Sequence, residues 1–105
     1  MNDKIPPVHP GEILLEEFIK PLGISQYKLA KEIGVSQMKI SAIVNKKRSV
    51  TTDTALRFSK YFGTSVEFWT GLQSDYDVEM AMDNKELSDS LDRIQPLLRN
   101  MPLLD

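Results

Sequence analysis

The chain has 105 residues and no cysteine, which makes it the size of one compact domain and excludes disulfides, thiolate nucleophiles and cysteine-ligated zinc. Hydrophobic residues make up 41% and charged residues 27%, the balance of a folded globular protein rather than a disordered one. The net charge of −2, taken as a sum, argues against a polyanionic partner, since nucleic-acid-binding domains are commonly basic.

Residues 1–7 are polar or proline-containing and read as an N-terminal arm without the charged-then-apolar layout of a secretion signal. The apolar runs at 13–15 and 42–44 fall far below the ~18–20 residues of a membrane helix, so no membrane partner and a cytoplasmic location are expected. His9-Pro10-Gly11-Glu12 is a helix entrance, with Pro10 fitting the first turn and Glu12 complementing the positive helix end. Leu14, Phe18 and Leu22, widened by Leu15 and Ile19, then recur at helical spacing. Pro21 ends or distorts this helix before Gly23.

Ser25 caps a second helix that Gly34 closes, and Ser36 caps a third after only Val35. The third helix runs to about Asn45 and is followed by the basic loop Lys46-Lys47-Arg48-Ser49. Thr51 or Thr52 caps a fourth helix carrying Ala55, Leu56, Ser59 and Phe62, which stops at Gly63; Ser65 opens a fifth with Phe68, Trp69 and Leu72. No segment alternates with the period of a strand. Beyond Tyr76, the residues Leu87, Leu91, Ile94 and Leu98 are spaced as a helix seam that Pro96 interrupts, so one or two short C-terminal helices are expected. The chain is thus predicted to be all-α, with five helices over residues 8–79 and a short helical C-terminal extension over 80–105.

The second and third helices carry a helix-turn-helix frame. Ala30 allows close approach, Gly34 supplies a positive φ four residues later, and Ile40, Ile43 and Val44 form a stripe that meets Leu29, Ile33 and Val35. The same frame fits an ordinary αα-corner in a helical bundle, so the free face must decide. With the stripe inward, Gln37, Met38, Ser41 and Asn45 point out and Lys39 lies on the flank. Gln can bond adenine bidentately, Ser pairs with several base edges, and Met lies against a thymine methyl. Gln26 and Ser36 stand at helix N-termini, where backbone N–H groups favour phosphate. Lys46, Lys47 and Arg48 follow directly. A charge run is most simply a solvated loop, but beside a polar, uncharged helix face this one fits phosphate clamping better.

The charge is unevenly spread. Residues 20–60 hold nine Lys or Arg against two acids, a net +7, whereas residues 65–105 hold three cations against nine acids, a net −6. A basic centre and an acidic tail suit a nucleic-acid face on one side and another partner or a dimer seam on the other. The single His9 reads as a cap or packing residue, Trp69 as core or dimer interface, and Asp75, Glu79 and Asp83 as a solvated acidic stripe. No nucleophile–base–acid set is present, so neither an enzyme nor a metal or other cofactor is expected.

Eight blocks stand out together: His9 to Leu14, Leu29-Ala30, Ile33-Gly34-Val35, Asn45 to Arg48, Thr52 to Leu56, Phe62 to Ser65, Phe68-Trp69 and Leu72 to Asp77. In combination they resemble the HigA family of antitoxins, also called VapI-like, within the Xre class of helix-turn-helix regulators. The resemblance covers about Val8 to Glu79. It implies a repressor-like five-helix core, a homodimer on double-stranded operator DNA upstream of its own operon, and a HigB-type, mRNA-cleaving toxin neutralised by direct contact. It further implies base-reading positions at Gln37, Met38, Ser41 and Ala42, and phosphate-contacting ones at Gln26, Ser36, Lys39, Asn45, Lys46, Lys47 and Arg48. Met38 and Ala42 depart from good hydrogen-bonding readers, which shifts direct specificity toward Gln37 and Ser41. A stand-alone regulator without a toxin and a helical module that binds only protein are the competing readings.

Overall fold

Five side chains fix where the last five helices begin. Ser25, Ser36, Thr51 and Ser65 accept hydrogen bonds from the backbone N–H groups of Lys28, Lys39, Thr54 and Phe68, and Asn84 accepts from Leu87 in the same way. Each satisfies a donor that has no partner inside its own helix, an effect worth about 1 kcal/mol per cap. The resulting architecture, seen in a computed structural model that describes residues 7–98, is six helices in series, with no strand among the described residues. The expected arm lies outside the described residues apart from Pro7, as does the end of the extension.

Helix α1 begins with an α-helical turn at Pro10–Ile13, widens into a π-helical stretch at Leu14–Ile19 and closes with Lys20–Leu22. The widening has a local cause. Pro21 has no N–H and its ring crowds the carbonyl four residues earlier, so the chain shifts to five-residue spacing, with the Lys20 N–H bonded to the Leu15 carbonyl. Helices α2 (Gln26–Ile33), α3 (Gln37–Val44) and α4 (Thr52–Phe62) follow the expected bounds within a residue. Helix α5 (Val66–Met82) is longer than its apolar pattern suggests and runs through the expected boundary at residue 79. A single short helix, α6 (Lys85–Asp92), stops before Pro96.

The core gathers Leu14 and Ile19 of α1, Leu29 and Ala30 of α2, Ile40 and Ile43 of α3, Ala55 and Phe58 of α4, and Trp69 of α5. Each fully buried Leu, Ile or Phe side chain contributes about 1.5–3 kcal/mol through removal from water. Trp69 sits among rings, 4.9 Å from Phe58 and 5.1 Å from Phe18 between centroids, while its indole N–H donates to the Thr64 hydroxyl at 2.8 Å. The α4 stripe differs from expectation in one place: Phe58 is fully buried and Leu56 lies at the surface. Phe58 is three residues after the buried Ala55, on its face of the helix, whereas Leu56 is turned about a quarter-revolution away.

Candidate nucleic-acid interface

The turn between α2 and α3 is built from the frame residues. Ala30 is buried, and its carbonyl accepts from both the Gly34 and Val35 N–H groups, with Gly34 at φ 78°. Ile40 and Ile43 are fully buried against α2 and α1. Arg57 of α4 locks the turn from outside. Its guanidinium donates to the Ile33 carbonyl at 2.7 Å and to the Asp53 carboxylate at 2.7 Å. That pairing holds the Asp53 carboxyl below the usual carboxylate range, chiefly through the hydrogen bond and charge of Arg57.

With Ile40 and Ile43 inward, the outer face of α3 carries Gln37 and Met38, the latter 80% exposed, with Ser41 and Ala42 half-buried behind them. Asn45 follows at the helix end and its amide reaches the Ser41 hydroxyl at 3.4 Å. Lys39 lies half-buried on the flank that faces Asp53. Ser36 is exposed with its hydroxyl engaged in the α3 cap, and Gln26 is half-buried as the first residue of α2. The turn thus sets the α3 N-terminus and the outer face of α3 side by side, with Gln26 at the far end of α2.

The basic loop is held by backbone geometry. The Lys46 N–H bonds to the Ile43 carbonyl and the Lys47 N–H to the Ala42 carbonyl, a Schellman closure that places Lys46 at φ 64°. Lysine here occupies a left-handed position that a side chain disfavours by roughly 1–2 kcal/mol. At the far end of the loop, the Val50 N–H donates at 2.8 Å to the buried Gln73 side chain of α5, whose amide donates on to Asp77.

The first turn of α1 completes the support. His9 Nδ1 accepts from the Gly11 N–H at 2.9 Å, capping α1, and the ring stands edge-on to Tyr76 at 4.8 Å. His9 also hydrogen-bonds the Arg48 backbone, so one buried imidazole ties α1, the basic loop and α5 together. Gly11 lies on the backbone of α3, and Glu12 pairs with Lys46 at 3.4 Å.

The ion pairs change the value of the sequence's basic count. Lys20, Lys28, Lys46 and Arg57 are paired with Glu16, Glu32, Glu12 and Asp53. Of the described cations in residues 20–60, Lys31, Lys39, Lys47, Arg48 and Lys60 have no ion-pair partner, and three of these lie in α3 or the loop behind it. Gly11, Arg57 and Gln73 are the support residues that the sequence reading did not single out. Their signals were present: a glycine in a helix start, an Asp53–Arg57 pair at helical spacing, and a glutamine four residues after Trp69 on its buried face. No group of three or more His, Asp or Glu able to hold a metal ion occurs among the described residues. No helix there is long and apolar enough to cross a membrane.

Comparison with known proteins places this geometry. Residues 15–69 match the helix-turn-helix family HTH_3. Virulence-associated protein I of Dichelobacter nodosus is 44% identical over 96 residues, covering 91% of this chain and 86% of that one. The fold superposes on Pseudomonas aeruginosa antitoxin HigA, solved with the higBA promoter, with a TM-score of 0.82 at 39% identity, covering 88% of this chain and 99% of that one. An addiction module antidote protein of the HigA family from Coxiella burnetii gives a TM-score of 0.80 at 42% identity, with 88% and 99% covered.

Proposed function

This chain belongs to the HTH_3 helix-turn-helix family and, within it, to the HigA and VapI-like antitoxins, and from that premise we propose that it binds operator DNA as a dimer and represses its own operon. Residues 8–79 form the DNA-binding domain and residues 80–105 an extension from it. The observation that carries the reading is the outer face of α3. It is uncharged, with Gln37 and Ser41 as its hydrogen-bonding groups beside the exposed Met38, it projects from a buried Ile40–Ile43 stripe, and the unpaired Lys39, Lys47 and Arg48 flank it. Such a face reads base edges while its margins hold phosphates.

In this arrangement Gln37, Met38, Ser41 and Ala42 meet bases. Gln26, Ser36, Lys39, Asn45, Lys46, Lys47 and Arg48 meet the backbone. Two copies present their α3 helices about 34 Å apart, one turn of DNA, to the two halves of a palindrome. The second partner is a basic, mRNA-cleaving toxin of the HigB type, neutralised by direct binding in the cytoplasm. No enzymatic activity and no cofactor enter the mechanism, in keeping with a family of DNA-binding regulators.

The test is a footprint on the DNA immediately upstream of the chain's own coding sequence. Protection of a palindrome, with nanomolar binding that weakens as salt rises, supports the reading; salt-insensitive or sequence-blind binding overturns it. Co-expression with the product of the adjacent reading frame tests the toxin: rescue of growth and co-purification are expected, and failure of both leaves a stand-alone regulator.

A further inference from the structure

Asp53 is the one acidic residue between Ile33 and Thr64, a stretch that holds the turn, α3, the basic loop and α4 and carries six Lys or Arg. It stands in the first turn of α4, mostly exposed, and accepts from Arg57 Nε at 2.7 Å. A carboxylate at a helix start with an arginine four residues on is, by itself, a local stabiliser that complements the helix dipole. Here both of its neighbours lead to the recognition helix. Arg57 donates from Nη1 to the Ile33 carbonyl, the last of α2 before the turn, so one guanidinium is shared between Asp53 and the turn. On its other side the Asp53 charge acts on Lys39, which has no ion-pair partner and lies on the flank of α3.

We infer that Asp53 is a specificity-determining residue: it holds Arg57 on the turn and, by the same charge, keeps the flank of α3 from binding phosphates indiscriminately. The inference rests on the DNA-binding reading above and adds a residue outside both contact sets named there. It acts through Arg57 and Lys39 rather than by touching a base, so it is a positioning residue in its first effect and an electrostatic one in its second.

The two effects fall on different binding modes. Attachment to unrelated DNA comes almost wholly from phosphates, and a carboxylate beside Lys39 offsets that attraction on every sequence alike. Attachment to the operator also needs Gln37 and Ser41 in register with base edges, which depends on the angle at which the turn sets α3. The planar guanidinium of Arg57 fixes that angle only while its fork is oriented, and the charge-assisted bond to Asp53 orients it. Removing the carboxylate therefore strengthens binding to bulk DNA and loosens the fit to the one site where α3 must be held in place.

The test is binding of the full chain to two duplexes across salt concentrations, one from immediately upstream of its own coding sequence and one unrelated. Asp53→Asn, Asp53→Glu and Arg57→Ala stand beside the wild type, and circular dichroism melts report that each is folded. Asp53→Asn is expected to bind the unrelated duplex at least about 3-fold more tightly, with a steeper salt dependence, while operator affinity stays level or falls. Asp53→Glu keeps the charge and should restore most of the wild-type ratio between the duplexes. Arg57→Ala keeps the carboxylate but loses the lock, so operator affinity should fall with no gain on unrelated DNA. A lower melting temperature for Asp53→Asn with both affinities unchanged makes the carboxylate a helix-end stabiliser only and overturns the proposal. Equal gains on both duplexes overturn it as well, since the charge then sets affinity and not specificity. A wild type that discriminates the operator while Asp53→Asn keeps the same ratio defeats this inference alone, whereas a wild type blind to the operator defeats the functional reading and this inference with it.

Discussion

A Cβ placed on Gly11 would overlap the backbone carbonyl of Ile43. The first turn of α1 therefore lies directly on the backbone of the helix proposed to enter the major groove, at the point where that helix gives way to the basic loop. Neither partner can yield cheaply, because the obstacle is main chain and both residues are buried. Gly11→Ala is expected to cost about 1–3 kcal/mol, the range for overpacking, or more if α1 lifts away. For a domain of this size, thermal unfolding should show a loss of roughly 4–8 °C per kcal/mol. Operator affinity should fall with it; a variant melting as the wild type does would remove this contact from the account.

Lys46 takes the opposite trade. It holds a left-handed backbone position that glycine adopts without a side-chain penalty, and Gly34 fills the corresponding position after α2. A residue that strains the backbone persists where its side chain has another use, here at the edge of the proposed DNA face. Lys46→Gly should raise the urea midpoint, by an amount equivalent to about 1 kcal/mol, while weakening binding to all DNA sequences and lowering the salt slope by about 0.9. The two changes have opposite signs. Loss of stability together with undiminished binding would refute both halves.

Gln37 and Arg48 should separate by kind rather than size. Gln37→Ala removes a candidate bidentate reader and should cost about 1–3 kcal/mol on the operator with little change on unrelated DNA. Arg48→Ala should weaken both equally and flatten the salt dependence. Competition binding with specific and nonspecific duplexes distinguishes them, and equal losses on both duplexes for Gln37→Ala would put α3 in the wrong orientation.

The helix bounds were legible because each depends on a local rule that one sequence displays: hydroxyl caps at Ser25, Ser36, Thr51 and Ser65, and stops at Gly34 and Gly63. The outer face of α3 was legible for the same reason, since Ile40 and Ile43 fix its rotation. What was not legible is long-range. The Val50–Gln73 bond spans 23 residues and the Arg57–Ile33 bond spans 24, so neither is visible in local periodicity. The π-helical turn in α1 was foreseen only as a distortion at Pro21, because its geometry depends on how the preceding turn repacks. The basic count of 20–60 overstated the free charge for a similar reason: which lysines are neutralised depends on neighbours such as Glu12 that fall outside the window.

His9 makes the site pH-sensitive, and the sign follows from its contacts. Nδ1 accepts the Gly11 N–H, so the cap requires that nitrogen to be unprotonated. Burial lowers the His9 pKa below its ordinary value of 6.5, and the nearby Lys46 charge adds to this; the Asp77 carboxylate and the hydrogen bond to the Arg48 backbone oppose it without reversing it. With the folded pKa depressed, the unfolded chain takes up the proton first. Stability from neutral His9 is therefore whole above pH 6.5 and is lost as pH falls from there through the folded pKa. His9→Asn supplies a capping side chain that does not titrate. Urea midpoints measured between pH 7.5 and 5.5 should fall in the wild type and stay nearly level in the variant, carboxylates elsewhere being common to both. Parallel profiles in that window would mean that His9 is protonated alike in the folded and unfolded chains, and its role as the buried tie between α1 and the basic loop would have to be abandoned.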